Sequence, residues 1–100
     1  MYVYANVKVK YGQLAAFNEA MVTIKRVMEA NGWTLVGAWT TLIGDLHEVH
    51  DLWQVEDANA VPAGFAGAFE DPDFVAASAE IARVAEREVL SLVTKTPYSP

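Results

Sequence analysis

Over the first ten residues apolar and polar side chains alternate, with Val3, Ala5, Val7 and Val9 standing between Tyr2, Tyr4, Asn6 and Lys8. Successive side chains of a strand point to opposite faces, so this predicts a strand with one aliphatic side and one aromatic or polar side. Gly12 breaks the pattern. From Gln13 the apolar residues Leu14, Phe17, Met21, Ile24, Val27 and Met28 recur at spacings of three and four, which predicts a helix that ends at Asn31-Gly32. Period two returns from Gly32 to Val55. Trp33, Leu35, Gly37 and Trp39 occupy alternate positions of its first half, and His47, Val49, Asp51, Trp53 and Val55 those of its second. These are two strands, and Gly44-Asp45 is the expected tight turn between them. Asp57 is placed to cap a short helix through Pro62, Phe65 and Phe69, softened by Gly64 and Gly67. Asp71-Pro72 opens a better marked helix, with Phe74, Ala77, Ile81, Val84 and Ala85 as its apolar stripe. Val89, Leu90, Leu92 and Val93 then mark a last strand within Glu88 to Thr96, before a short polar tail from Pro97 to Pro100.

The order strand, helix, strand, strand, helix, strand is the split βαβ, ferredoxin-like plan of an α+β protein. It is a βαββαβ chain whose four-stranded antiparallel sheet carries helices on one face. The other face is also rich in apolar residues, since Trp33, Leu35 and Trp39 share one parity of the second strand while Val36 and Ala38 share the other. Helices on one side cannot bury both faces, so a second copy is expected to cover the open one through a two-fold interface, making a homodimer.

Composition narrows the chemistry. One hundred residues with 53% hydrophobic and 11% aromatic side chains suit a single domain spanning residues 1–100. Seven Lys and Arg against thirteen Asp and Glu leave a net charge of -6, so nucleic acid is a poor partner for the protein's own field. No apolar run approaches the roughly 20 residues of a membrane span, and the N-terminus reads as a strand rather than an export signal, so no membrane role and a cytoplasmic location are expected. The chain has no cysteine, which removes disulfides, thiolate metal sites and cysteine nucleophiles.

The remaining chemistry clusters on the hairpin. A two-residue turn at Gly44-Asp45 pairs Trp39 with His50, Ala38 with Asp51 and Gly37 with Leu52. It puts His50, Glu48, Trp33 and Trp39 on one sheet face and His47, Asp51 and Trp53 on the other; a longer loop regroups them. Small Gly37 beside the tryptophans marks a place where a ligand or a backbone could approach closely. His47 and His50 are the side chains whose ordinary titration lies near neutrality, the default proton-transfer groups. Asp51, flanked by Val49, Leu52 and Trp53, must be either paired with a Lys or Arg, the preferred reading, or a raised-pKa acid in a pocket. Two histidines three apart on a strand diverge and do not make a metal site, and heme, with no attachment motif and few cations for its propionates, is disfavoured. No metal or cofactor is therefore expected.

The chain resembles the NIPSNAP family, a branch of the dimeric α+β barrel superfamily. The resemblance rests on YVYANVKVKYGQLAAFNEAM, LVGAWTTLIGDLHEVHDLWQVED and the EDPDF start of the last helix, and most of all on Val36, Gly37, Trp39, Gly44, Leu52 and Trp53 of the hairpin. It implies the fold, the dimer and a pocket between sheet and helices. The family has no single agreed activity, and its wider relatives range from cofactor-independent monooxygenases to ligand-sensing domains. By analogy with the cofactor-independent members, Asn6, Trp53 and Tyr4 would orient an aromatic substrate. The histidine that the monooxygenase branch often carries after the third strand is replaced here by Asp57, Asn59 and Ala60, which weakens oxygenase chemistry specifically.

The expectation is therefore a small-molecule enzyme working without metal or cofactor, by proton transfer on an apolar aromatic or polyketide-like substrate. His50 and Asp51 are its candidate catalytic groups, and Asn6, Tyr4, Trp39, Trp53, Phe65 and Phe69 its candidate substrate contacts. The segment from Pro62 to Phe69 would serve either as an apolar lid or as a plain structural helix. The alternatives are a noncatalytic ligand-binding or assembly module and a cofactor-independent monooxygenase.

Overall fold

The computed structural model describes residues Met1–Pro100. In chain order its elements are β1 (Tyr2–Val9), α1 (Leu14–Ala30), β2 (Thr34–Thr40), β3 (Glu48–Gln54), α2 (Ala60–Ala68), α3 (Pro72–Val84) and β4 (Ala85–Val93). The strands form one antiparallel sheet in the order β2-β3-β1-β4, the ferredoxin-like α+β arrangement that the periodicity predicts. No helix is long and apolar enough to cross a membrane.

The helices cover the face on which β1 projects its aliphatic side. Val3, Ala5, Val7 and Val9 are buried there with Val49, Trp53 and Val55, against Phe17, Val27 and Met28 of α1 and Phe74 of α3. The register pairs Ala5 with Asp51 and Asn6 with His50, so Asp51 shares the core side with the valines and His50 points the other way.

Local signals set the helix ends. Asn31 closes α1 by donating from its side chain to the Val27 carbonyl at 2.8 Å, and Gly32 leaves the helix at φ 92°, a left-handed conformation that favours glycine. Asp57 accepts from the Asn59 and Ala60 amides at 2.9 and 3.2 Å and so caps the start of α2. Asp71 accepts from the Asp73 amide at 2.8 Å, with Pro72 in the first turn of α3.

Three expectations are corrected. Gly44-Asp45 is not a two-residue turn: β2 stops at Thr40 and β3 starts at Glu48, and a longer loop lies between them. Lys8 holds this loop by an ion pair with Asp45 and a 2.7 Å bond to the Leu46 carbonyl, and His47 adopts φ 68° within it. The expected pairing of Trp39 with His50, Ala38 with Asp51 and Gly37 with Leu52 is nonetheless present.

The second correction concerns Trp33. A bulge between Leu35 and Gly37 reverses the parity of β2, so Leu35 pairs with Trp53 on the helix side while Trp39 lies on the open side. Trp33 is 3% exposed and meets Trp53 edge to face at 5.8 Å, whereas Trp39 is 57% exposed. Third, β4 follows α3 without a loop, so Ala85 belongs to the strand rather than to the helix stripe, and the strand ends at Val93.

The glycines of α2 are a matter of space rather than softness. The Trp33 indole N–H donates to the Ala60 carbonyl at 2.9 Å and lies so close to Gly64 that a Cβ there would collide with it. The helix is pinned onto the tryptophan, which supports the structural reading of this segment over a mobile lid. An alanine in a helix interior normally gains up to about 1 kcal/mol over glycine. Here overpacking of about 1–3 kcal/mol should win. Gly64→Ala is expected to destabilise the protein in urea denaturation; a gain in stability would mean that α2 has slack over Trp33.

Candidate functional site

The sheet and its helix layer do not close completely on each other. Between them lies a cavity of about 440 Å³, within the range of small-molecule sites. Ala5 and Val7 of β1 form its floor, and α1 contributes Met21, Ile24 and Met28. Phe65 of α2, Phe69 just past its end and Phe74 of α3 add aromatic walls, joined by Trp33 and Trp53. The opening lies toward β4. Leu90 and Leu92 face the helix side by their pairing with Ala5 and Val3, yet stay 42% and 45% exposed because the helices do not extend over them.

Asp51 stands in this apolar cavity, 3% exposed. No ion pair or hydrogen bond within the chain engages its carboxylate, so the pairing with Lys or Arg is not found and the alternative, a raised-pKa acid, is what the structure contains. Burial, reinforced by the negative charge of Glu88 and only partly offset by His50, pushes its pKa up from 3.8 to about 6. Glu88 lies diagonally across β1, opposite Val7 where Asp51 is opposite Ala5, and burial raises its carboxyl as well. Glu86 also borders the cavity, while α1, α2 and α3 turn only apolar side chains and Ser78 into it. The bordering Arg87 does not neutralise this end, because its guanidinium donates to Glu48 at 2.7 Å and to Asn6 at 3.4 Å. Glu88 was missed by sequence reasoning, although its alternation with Leu90 and Leu92 was a signal that it shares their face.

The expected site residues divide between the two faces of the sheet. Asp51, Trp53, Phe65 and Phe69 line the cavity. Tyr4, Asn6, Trp39 and His50 lie on the opposite, open face and do not meet them. There the Tyr4 hydroxyl bonds His50 Nδ1 at 2.6 Å and the Asn6 amide donates to the same nitrogen at 3.3 Å. With Nδ1 as acceptor, Nε2 carries the hydrogen and donates to Thr41 Oγ1 at 2.9 Å. Both ring nitrogens of His50 are thus engaged, and Asn6 and Tyr4 orient this imidazole rather than a molecule beside Trp53. The close approach expected at Gly37 is made by the ring of Trp39, which folds back over it. His47 sits in the loop against Tyr11, with ring centroids 5.0 Å apart. No three His, Asp or Glu side chains converge as metal ligands.

These features define a ferredoxin-like α+β domain with an acid-bearing apolar pocket on one sheet face and a polar, aromatic cluster on the other. The sequence model of the NIPSNAP family matches residues 2–100, and the chain belongs to that family. It is 35% identical over 104 aligned residues to mouse NipSnap homolog 3B and to human NipSnap homolog 3A, covering all of this chain and 41% of each relative. The chain therefore spans less than half the length of these relatives. Among solved structures it superposes with a TM-score of 0.84 at 20% identity on a NIPSNAP domain protein of Burkholderia xenovorans, covering 100% of this chain and 99% of that one. A NIPSNAP family protein of Agrobacterium tumefaciens gives 0.87 at 18% identity, with coverage of 99% and 90%. A candidate antibiotic biosynthesis monooxygenase from Bacteroides thetaiotaomicron gives 0.71 at 17% identity over 100% and 90%, a likeness of fold alone.

The raised pKa of Asp51 carries a stability consequence. A carboxyl that holds its proton more tightly folded than unfolded favours the fold most when protonated. Its contribution is lost as pH rises from about 4 through about 6. A shift from 3.8 to about 6 corresponds to about 3 kcal/mol. Urea denaturation of wild type and Asp51→Asn should therefore diverge across this window, with the variant gaining on wild type by about 2–3 kcal/mol toward neutral pH. Parallel pH profiles would mean that Asp51 is not buried as an unpaired acid.

Proposed function

We propose that this protein is a small-molecule enzyme acting by proton transfer on an apolar aromatic or polyketide-like molecule held in the sheet–helix pocket, with Asp51 as the acid–base. The observation that carries this reading is a buried, unpartnered carboxyl with a pKa near 6 facing an aromatic cavity. A general base works best when its pKa lies near the operating pH, and desolvation brings Asp51 there without a metal or cofactor. Trp53, Phe65 and Phe69 supply flat apolar walls that would hold a ring, with Asp51 beside it. The kinship in fold with candidate monooxygenases adds no argument for oxygenase chemistry, because it lies below 20% identity.

The open face has a separate part in this proposal. Val36, Trp39 and Val89 are 53%, 57% and 43% exposed on or beside it, more large apolar surface than an isolated sheet tolerates well. A second copy of the chain, related by a two-fold axis, would cover them together with Tyr4, Asn6 and His50. His50 then belongs to the homodimer interface rather than to proton transfer.

Two measurements test these readings. Incubated in D2O with an enolisable aromatic ketone such as 2-tetralone, the protein should accelerate deuterium uptake beside the carbonyl by about 100-fold or more, as seen by proton NMR. Asp51→Asn should abolish the acceleration while keeping its circular dichroism spectrum, and His50→Ala should retain it. Equal exchange with wild type, Asp51→Asn and buffer would leave a binding module without turnover. Light scattering should give twice the chain mass for wild type and the single-chain mass for Trp39→Glu; a wild-type monomer would sink the dimer.

A further inference from the structure

The carboxylates lining the pocket outnumber its one bordering cation, Arg87. Asp51 and Glu88 project from strands on either side of β1, their backbones roughly 12 Å apart across two strand spacings and two residues along, and Glu86 stands at the same edge. None of them has a cationic partner in the pocket, because Arg87 is spent on Glu48 and Asn6 on the far face. Asp51 supplies the independent observation that makes this acidic edge a site: it is 3% exposed, makes no hydrogen bond or ion pair within the chain, and its carboxylate opens onto the cavity. An ionised carboxylate in such surroundings is costly until something donates to it.

We propose that the pocket takes an aromatic molecule carrying one cationic amine, whose ammonium is held against Asp51 with Glu88 as the second carboxylate at the mouth. An ammonium has three donors and no acceptor, the complement of two carboxylates that lack donors. Its charge also favours the faces of the Trp53 and Trp33 rings, and the net charge of -6 draws cations toward the chain. A neutral ligand would bring no charge to balance the carboxylates, and an anionic ligand would meet like charges. The titratable and charged groups around Asp51 are Glu88, Glu86 and the bordering Arg87 from β4 and, through the sheet, His50; α1, α2 and α3 bring none into the pocket. The inference rests on the pocket being the ligand site and names what its ligand must carry; it does not require Asp51 to transfer a proton.

Three probes of matched shape and different charge test it: tryptamine, indole-3-ethanol and indole-3-acetate, titrated by calorimetry and followed by amide NMR shifts of the full chain. At about pH 7.5 tryptamine should bind at least about tenfold more tightly than indole-3-ethanol, with indole-3-acetate weakest. The advantage should shrink at about pH 5, where Asp51 takes up its proton. Asp51→Asn and Glu88→Gln should each remove most of the amine's advantage over the alcohol, with an unchanged circular dichroism spectrum as the control for folding. Equal binding of amine and alcohol, or an advantage that survives both substitutions, would overturn the inference. Ketone exchange without any preference for the amine would overturn it and spare the proton-transfer reading. Binding of none of the three probes would overturn the amine site and the pocket reading together.

Discussion

The pairing of Ala5 with Asp51 across the two central strands is the constraint on which the rest of the molecule depends. Val3, Val7 and Val9 on β1 and Val49, Trp53 and Val55 around β3 all have to face the helices to form a core. A slip of one residue in this pairing would turn a whole set of apolar side chains toward the open face. Each such side chain is worth about 1.5–3 kcal/mol on burial, so no single carboxylate can oppose the register. Asp51 is therefore carried into the core side by its neighbours, and His50 is carried out of it by the same alternation. The division of the molecule into an acidic pocket and a histidine-bearing open face follows from that one register.

The sequence made much of this legible, and the points of failure are instructive. Alternation in β1 and the three-four spacing of α1 are strong signals because every position in them agrees, and the pairing of Trp39 with His50 was recoverable from the hairpin. What alternation cannot reveal is a residue that leaves the count. The bulge at Val36 adds one position to β2 beside Gly37, and it moves Trp33 and Leu35 to the core side while Trp39 stays outside. The loop from Thr41 to His47 was hidden for a related reason. Gly44-Asp45 has the chemistry of a two-residue turn, but tertiary bonds from Lys8 to Asp45 and Leu46 hold a wider path.

The candidate site was less legible than the fold, because a face assignment in one strand does not say what crosses from another. Asp51, Trp53, Phe65 and Phe69 were recognisable as unusual residues, and they do share a cavity. Asn6, Tyr4 and Trp39 were grouped with them by residue type, whereas β1 alternation alone already put Asn6 and Tyr4 opposite to Val3 and Val7. Glu88 was overlooked because the strand was expected to begin with it, whereas β4 starts at Ala85 and already carries Glu88 within the sheet. Only the β1–β4 register, which sets Glu88 opposite Val7 and Leu90 opposite Ala5, places it on the same sheet face as Asp51, across β1.

Stability and binding pull in opposite directions at Asp51, and this bears on why such a residue sits there at all. Near neutrality the fold carries an ionised, unpartnered carboxylate that an asparagine would avoid, at a cost of about 3 kcal/mol. A domain of this size has only about 5–15 kcal/mol of net stability, so the residue consumes a sizeable share of it. A group of this kind with a purely structural role would be expected to have a partner, as Lys8 has Asp45 and Arg87 has Glu48. The unpaired state makes physical sense if the missing donor arrives with a ligand. Binding then relieves the desolvation already incurred in folding, and that relief appears as affinity for whatever supplies the proton or the positive charge.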